Sequence, residues 1–316
     1  MENCSIEFNL NIRNQQVQIP IFENLGIELW IKREDEIHKQ ISGNKFRKLK
    51  YNILEAKDLQ KKKLVTFGGA YSNHILAVAA TGNLHGFETI GVIRGEELAL
   101  DLETVLKENS TLRNASELGM KFNFIDRESY RNKDSNEFQV YLKKKFGDFY
   151  LIPEGGTNQL AIKGCEEILT AEDEKFDYIC LAVGTGGTIS GIINSVKNHQ
   201  QVLGFPALKG DFLKKEIQQL ISVQNRNWSL VTEYHFGGYG KFNTDLIRFM
   251  NEFKEETGIL LDPIYTGKMM YGLLDLIKKR TFRKGAKILA IHTGGIQGIT
   301  GVNRKLIKKN LEVIKV

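Results

Sequence analysis

The chain is poor in cysteine, proline and tryptophan, and it has no long uncharged apolar run. Its three cysteines, Cys4, Cys165 and Cys180, are widely spaced and odd in number. They form neither a disulfide framework nor a pair with metal-ligand spacing, so we expect a reducing, cytoplasmic setting and no metal. No apolar stretch approaches the roughly 20 residues that cross a bilayer, and no membrane partner is expected. The opening Met1-Glu2-Asn3-Cys4-Ser5 shows no basic stretch followed by an apolar core, and we read no signal peptide there. The net charge is only +6. Runs such as Lys61-Lys62-Lys63 and Lys143-Lys144-Lys145 lack the interleaved aromatics of a nucleic-acid surface, and no nucleic-acid partner is expected. Repeats of solenoid length and low-complexity linkers are also missing.

What is present points to an α/β protein. Four prolines stand against 30 glycines, which suits many tight strand-to-helix turns. A chain of 316 residues is long for one core, and two domains are expected. Short apolar runs alternate with longer amphipathic ones, the pattern of βα units around a parallel sheet. We read strands at 64–67, 89–93, 121–125, 178–183 and 287–291. Helices are read at 73–85, 160–171, 188–198, 241–256 and 269–279. The segment 100–150, rich in charge and Asn/Ser, marks the edge of a smaller domain.

Three polar, glycine-rich turns fall where such a sheet binds ligands, at the carboxyl ends of its strands. They are Gly68-Gly69-Ala70-Tyr71-Ser72-Asn73-His74, Gly184-Thr185-Gly186-Gly187-Thr188 and His292-Thr293-Gly294-Gly295. In the second, glycines admit an anion close to backbone N–H groups, the next helix adds its positive end, and Thr185 and Thr188 add hydroxyls. A lone loop of this kind is as often a tight turn with no ligand. A dinucleotide fingerprint needs glycine at position 189, which is Ile, and no Gly-Lys pair here has the context of a nucleotide-triphosphate loop. The loop suits one phosphate monoester.

Lys45 sits in Ser42-Gly43-Asn44-Lys45-Phe46-Arg47-Lys48-Leu49, where turn residues open a helix running on through Ile53 and Ala56. The helix end, Arg47 and Lys48 should all depress its pKa and favour a nucleophilic amine. Together with Lys32-Arg33-Glu34-Asp35, this segment resembles the cofactor-lysine motif of the 1-aminocyclopropane-1-carboxylate (ACC) deaminase and D-cysteine desulfhydrase family. That family belongs to the tryptophan-synthase-β type of pyridoxal-phosphate enzymes. The segment 68–74 is similar to its substrate loop and 184–188 to its phosphate cup. Phe236-Gly237-Gly238-Tyr239-Gly240, Leu261-Asp262-Pro263-Ile264-Tyr265-Thr266-Gly267-Lys268 and 292–295 complete the set in order.

The resemblance implies a homodimer of chains with two open twisted α/β domains and pyridoxal 5'-phosphate in the cleft between them, the fold-type II arrangement. The large domain would hold residues 1–49 and 150–316, and the smaller inserted one 50–149. Lys45 would be the Schiff-base lysine and Asn73 the partner of the cofactor's phenolic oxygen. Gly184, Thr185, Gly186, Gly187 and Thr188 would hold its phosphate, with Thr266 and Thr293 at the ring nitrogen. Tyr71, Ser72, Asn73 and His74 would take the substrate carboxylate. Tyr239 and Tyr265 would face the reacting carbons, and Lys45, Ser72, Tyr239 and Tyr265 would be catalytic.

Two departures bear on the reaction. ACC deaminases typically carry glutamate where this chain has Thr266. A neutral partner leaves the ring nitrogen unprotonated, which suits prompt loss of a β-leaving group. His74 is similar to the desulfhydrase branch, whereas Tyr71 stands where both branches usually show glutamine. We therefore read β-elimination of a small amino acid, D-cysteine to pyruvate, ammonia and sulfide. Opening of the cyclopropane ring, with Ser72 or Tyr265 as nucleophile or base, is the alternative. A non-catalytic cofactor-binding paralogue is opposed by the intact Lys45, Ser72, Tyr239 and Tyr265.

Overall fold

The computed structural model describes residues 12–38, 40–223 and 227–316. Cys4 and the opening residues read for a signal lie outside the described residues.

Ten strands form two sheets. In chain order they are β1 (Asn14–Val17), β2 (Glu28–Lys32), β3 (Lys63–Gly69), β4 (Glu88–Arg94), β5 (Lys121–Ile125), β6 (Tyr150–Ile152), β7 (Tyr178–Val183), β8 (Gln201–Pro206), β9 (Trp228–Leu230) and β10 (Lys287–Ile291). The larger sheet has the order β1-β2-β10-β7-β8-β9, and the smaller β5-β4-β3-β6. Only β1 pairs antiparallel, with β2, among the described pairs. All pairs in the smaller sheet are parallel.

Both sheets carry apolar clusters on both faces, which is why central strands such as β7 and β10 read as unbroken apolar runs. Along β7, Cys180 and Ala182 face one cluster with Met269, Leu273 and Met250. Ile179, Leu181 and Val183 face another with Ile189 and Ile192. In the smaller sheet Leu64 and Ile93 pack with Leu49, Ile53 and Leu76, while Val65, Phe67 and Val92 pack with Tyr130 and Leu142. The five expected strands are all present.

Several helix ends differ from expectation. The stretch read as 241–256 runs Thr244–Thr257, because the Asn243 side chain accepts from Leu246 N–H at 2.9 Å. The stretch read as 160–171 ends at Glu166, and 269–279 begins early, at Thr266. Among the described residues no helix is long and apolar enough to cross a membrane.

Candidate active site

A cleft of about 480 Å³ opens where the carboxyl ends of β3, β7 and β10 deliver their loops. Lys45 projects into it from the first turn of the helix Asn44–Asp58. That helix starts hard against the loop after β10. A Cβ on Gly43 would lie 2.0 Å from the Thr293 carbonyl oxygen, and its φ of +61° also demands glycine. The Lys45 amine lies 3.1 Å from Asn44 Oδ1. Its pKa is lowered to about 7, first by burial and then by the Lys48 charge. The expected contribution of Arg47 needs correction, because its guanidinium forms a buried two-point pair with Glu34 at 2.8 and 3.0 Å.

The Gly184–Thr188 loop joins β7 to the helix Gly187–Ser195, with Gly186 at φ +82°. Lys48, one turn beyond Lys45, reaches the same point. Its buried ammonium donates to Gly155 O and Thr157 Oγ1 at 3.0 Å each and lies 3.5 Å from Thr185 Oγ1. A Cβ on Gly187 would come within 2.9 Å of the Thr157 side chain and 3.2 Å of Lys48 Nζ. The Asn44 amide donates to Thr188 Oγ1 at 2.8 Å. A helix start, three threonine hydroxyls and an ammonium thus converge, a cradle for a phosphate. From the sequence alone Lys48 counts only as a charge near Lys45. Its spacing of three from Lys45, which puts both on one helix face, was the available signal.

Across the cleft, the helix Asn73–His85 begins after Ser72, whose hydroxyl makes no capping bond. Asn73 Nδ2 donates to Gly295 O at 3.3 Å, while its Oδ1 is buried and unpartnered, as is Gln297 Oε1. Both side chains line the cleft. Buried orphan polar atoms on a cavity wall call for a ligand. The His74 ring lies beneath, 2.8 Å from Thr66 Oγ1, and is kept neutral by burial and by Lys45 and Lys48. Tyr71 is 51% exposed at the rim. Its ring lies where a Cβ on Gly301 would touch it at 3.0 Å, so its bulk rests on the helix Gly298–Lys308. Asn109, which the sequence did not single out, fixes this loop by donating to Ala70 O at 2.9 Å.

Tyr265 and Tyr239 form the remaining wall, their ring centroids 6.2 Å apart edge to face. The Tyr265 ring closes on Gly184, where a Cβ would stand 3.1 Å away. Burial, followed by Tyr239 and Asp262, raises its pKa well above the usual phenol value. Lys268 donates to His235 O and Gly238 O at 2.9 and 2.8 Å and so fastens the loop that carries Tyr239.

Thr266 is the main correction. Its hydroxyl donates to Asp262 Oδ2 at 2.8 Å and accepts from Asp262 N–H at 2.9 Å. It is fully buried behind the wall, whereas Thr293 lies on it. Gly187 and Thr266 are thus the two expected site residues that do not line the cleft. Glu154 is the single acidic side chain among the described lining residues. No cluster of three His, Cys, Asp or Glu suited to a metal occurs among the described residues. A lysine of depressed pKa, a phosphate cradle and the unpartnered amide oxygens of Asn73 and Gln297 together fit a phosphorylated aldehyde such as pyridoxal phosphate.

Comparison with known proteins agrees. The family model described as pyridoxal-phosphate dependent enzyme matches residues 10–294. A bifunctional D-cysteine desulfhydrase/1-aminocyclopropane-1-carboxylate deaminase of Arabidopsis thaliana mitochondria is 32% identical, covering 87% of this chain and 74% of its own. A D-cysteine desulfhydrase of Klebsiella pneumoniae is 28% identical over 86% of this chain and 88% of its own. The crystal structure of an ACC deaminase homologue superposes with a TM-score of 0.77 at 28% identity, covering 94% of this chain and 93% of the other.

Proposed function

This chain belongs to the pyridoxal-phosphate dependent enzyme family, and from that premise we propose that it eliminates a β-substituent from a small amino acid, D-cysteine being the lead substrate. When bound, the cofactor supplies an electron sink for charge developing at the substrate α-carbon. The neutral amine of Lys45 takes the α-proton as general base, a role suited to a pKa of about 7. Lys48, Thr157, Thr185 and Thr188 would hold the cofactor's phosphate, and Asn73 would be the partner of its phenolic oxygen. Ser72 and the N–H groups of the 70–74 loop hold the substrate carboxylate. Tyr265, its hydroxyl kept protonated, hands a proton to the departing group, with Tyr239 closing the cleft above.

One observation carries the preference for β-elimination. Thr293 lines the cleft and would be the ring nitrogen's partner, whereas Asp262 lies off the wall, engaged by three backbone N–H groups and by Thr266. A hydroxyl cannot balance a protonated ring nitrogen, so deep delocalisation is disfavoured. Cyclopropane opening stays the second reading, favoured by the shared name of the Arabidopsis relative. We also propose that the two sheets are the cores of two domains, the smaller centred on 50–149, and that the chain forms a homodimer.

A screen of D- and L-cysteine, D-serine and aminocyclopropane carboxylate for keto-acid release tests the substrate. D-cysteine should be processed at least tenfold more efficiently than the cyclopropane, and the reverse order would reject β-elimination as the main reaction.

A further inference from the structure

A second cavity, of about 360 Å³, adjoins the cleft and shares Gly69, Ala70, Tyr71 and Arg94 with it. The register of β3 and β4 pairs Gly69 with Arg94, and that of β4 and β5 pairs Arg94 with Ile125. Arg94 therefore stands at a strand's carboxyl end, directly beside the 70–74 loop. Gly69 presents no side chain, and a Cβ there would lie 3.7 Å from Arg94 Nη2. The guanidinium also lies over the Tyr130 ring, 5.5 Å from its centroid. Arg127 and Arg131, just beyond β5, line the same cavity.

The charges around it do not cancel. Three arginines face one carboxylate, Glu97, and that group is held by Arg127 at 2.5 Å. Nearby Glu154 is occupied by the Tyr130 hydroxyl at 2.7 Å and by Lys133 at 3.3 Å. Among the described residues no carboxylate is ion-paired with Arg94 or Arg131. An arginine fork with free donors, at the meeting of two cavities, is suited to an oxyanion.

We propose that the second cavity receives the side-chain end of the substrate and that Arg94 reads an anion there, so that an alanine whose β-substituent is an oxyanion, such as a phosphate ester, is a better substrate than serine. The proposal rests on the β-elimination reading and adds the substrate class. With O-phosphoserine, the α-proton passes to the base, and the Cβ–O bond breaks with its electron pair leaving on phosphate. One water then converts the three-carbon remainder to pyruvate and ammonia.

The test uses the holoenzyme and compares kcat/KM for pyruvate release from O-phosphoserine, serine and cysteine, each as both enantiomers. O-phosphoserine of the productive hand should exceed serine by tenfold or more. Arg94→Gln should lower that ratio at least tenfold, and Arg94→Lys should restore part of it. Binding gives a second readout, followed through the cofactor's absorbance. 2-Amino-3-phosphonopropionate, whose C–P bond cannot leave, should bind at least tenfold more tightly than alanine to wild type but not to Arg94→Gln. Equal loss on every substrate would make Arg94 a packing or α-carboxylate residue and overturn the proposal, as would wild type showing no preference for the anion. A clear phosphonate preference without keto acid from any substrate would instead reject β-elimination, leaving Arg94 as an anion reader.

Discussion

Lys45 owes its reactivity mainly to being withdrawn from water, with Lys48 adding like charge one turn away. A lysine whose pKa lies near 7 is protonated and inert below that pH and nucleophilic above it. Cofactor uptake by the cofactor-free protein should therefore quicken about tenfold per unit up to pH 7 and level off above it. Stopped-flow absorbance over a pH series measures this. Lys48→Met removes a neighbouring positive charge, so the midpoint should move upward while the cofactor dissociates more readily on dialysis. Tyr265 makes a separate prediction. If its hydroxyl serves the leaving group, Tyr265→Phe retains the cofactor's absorbance yet loses roughly 10²–10⁴-fold in kcat, the usual worth of a positioned acid or base. A loss of only a few-fold would reduce the ring to packing against Gly184. The motif resemblance nominated both groups, and for Lys45 the helix-end context pointed the same way. The sequence could not reveal that Arg47 turns to Glu34, or that Thr266 turns back to Asp262, since each depends on how the backbone folds between the two residues.

Among the elements, the three glycine-rich strand ends were legible because their composition is local: glycines, hydroxyls and an asparagine between an apolar run and an amphipathic one. Contacts made across the chain were not. Gly155 and Thr157 meet Lys48 from more than a hundred residues away, and the register that sets Gly69 beside Arg94 follows from strand pairing. Close approach supplies the prediction at this scale. Gly43→Ala would drive a Cβ into the Thr293 carbonyl at a positive φ, with an expected cost of roughly 2–4 kcal/mol in thermal or chemical unfolding. Gly187→Ala meets only side chains, Thr157 and the end of Lys48. It should disturb the phosphate cradle more than stability, raising the cofactor's dissociation constant tenfold or more with a small change in melting temperature.

For the whole molecule, the α/β class and five of the ten strands, β3, β4, β5, β7 and β10, followed from hydrophobic pattern, because a strand packed on both faces advertises itself as an apolar run. Short strands such as β6 and β9, three residues each, carry too little pattern to be seen. The two sheets matter to function because they deliver opposite walls, the 70–74 loop from the smaller and the 184–188 and 293–295 loops from the larger, with Lys45 between. Everything proposed for the reaction depends on that lysine carrying the cofactor. The most direct measurement is borohydride reduction of the yellow holoprotein followed by peptide mapping. The pyridoxyl group should be found on Lys45, and Lys45→Ala should abolish labelling. Label on Lys48, Lys268 or another lysine, or a purified protein that takes up no cofactor, would contradict the account.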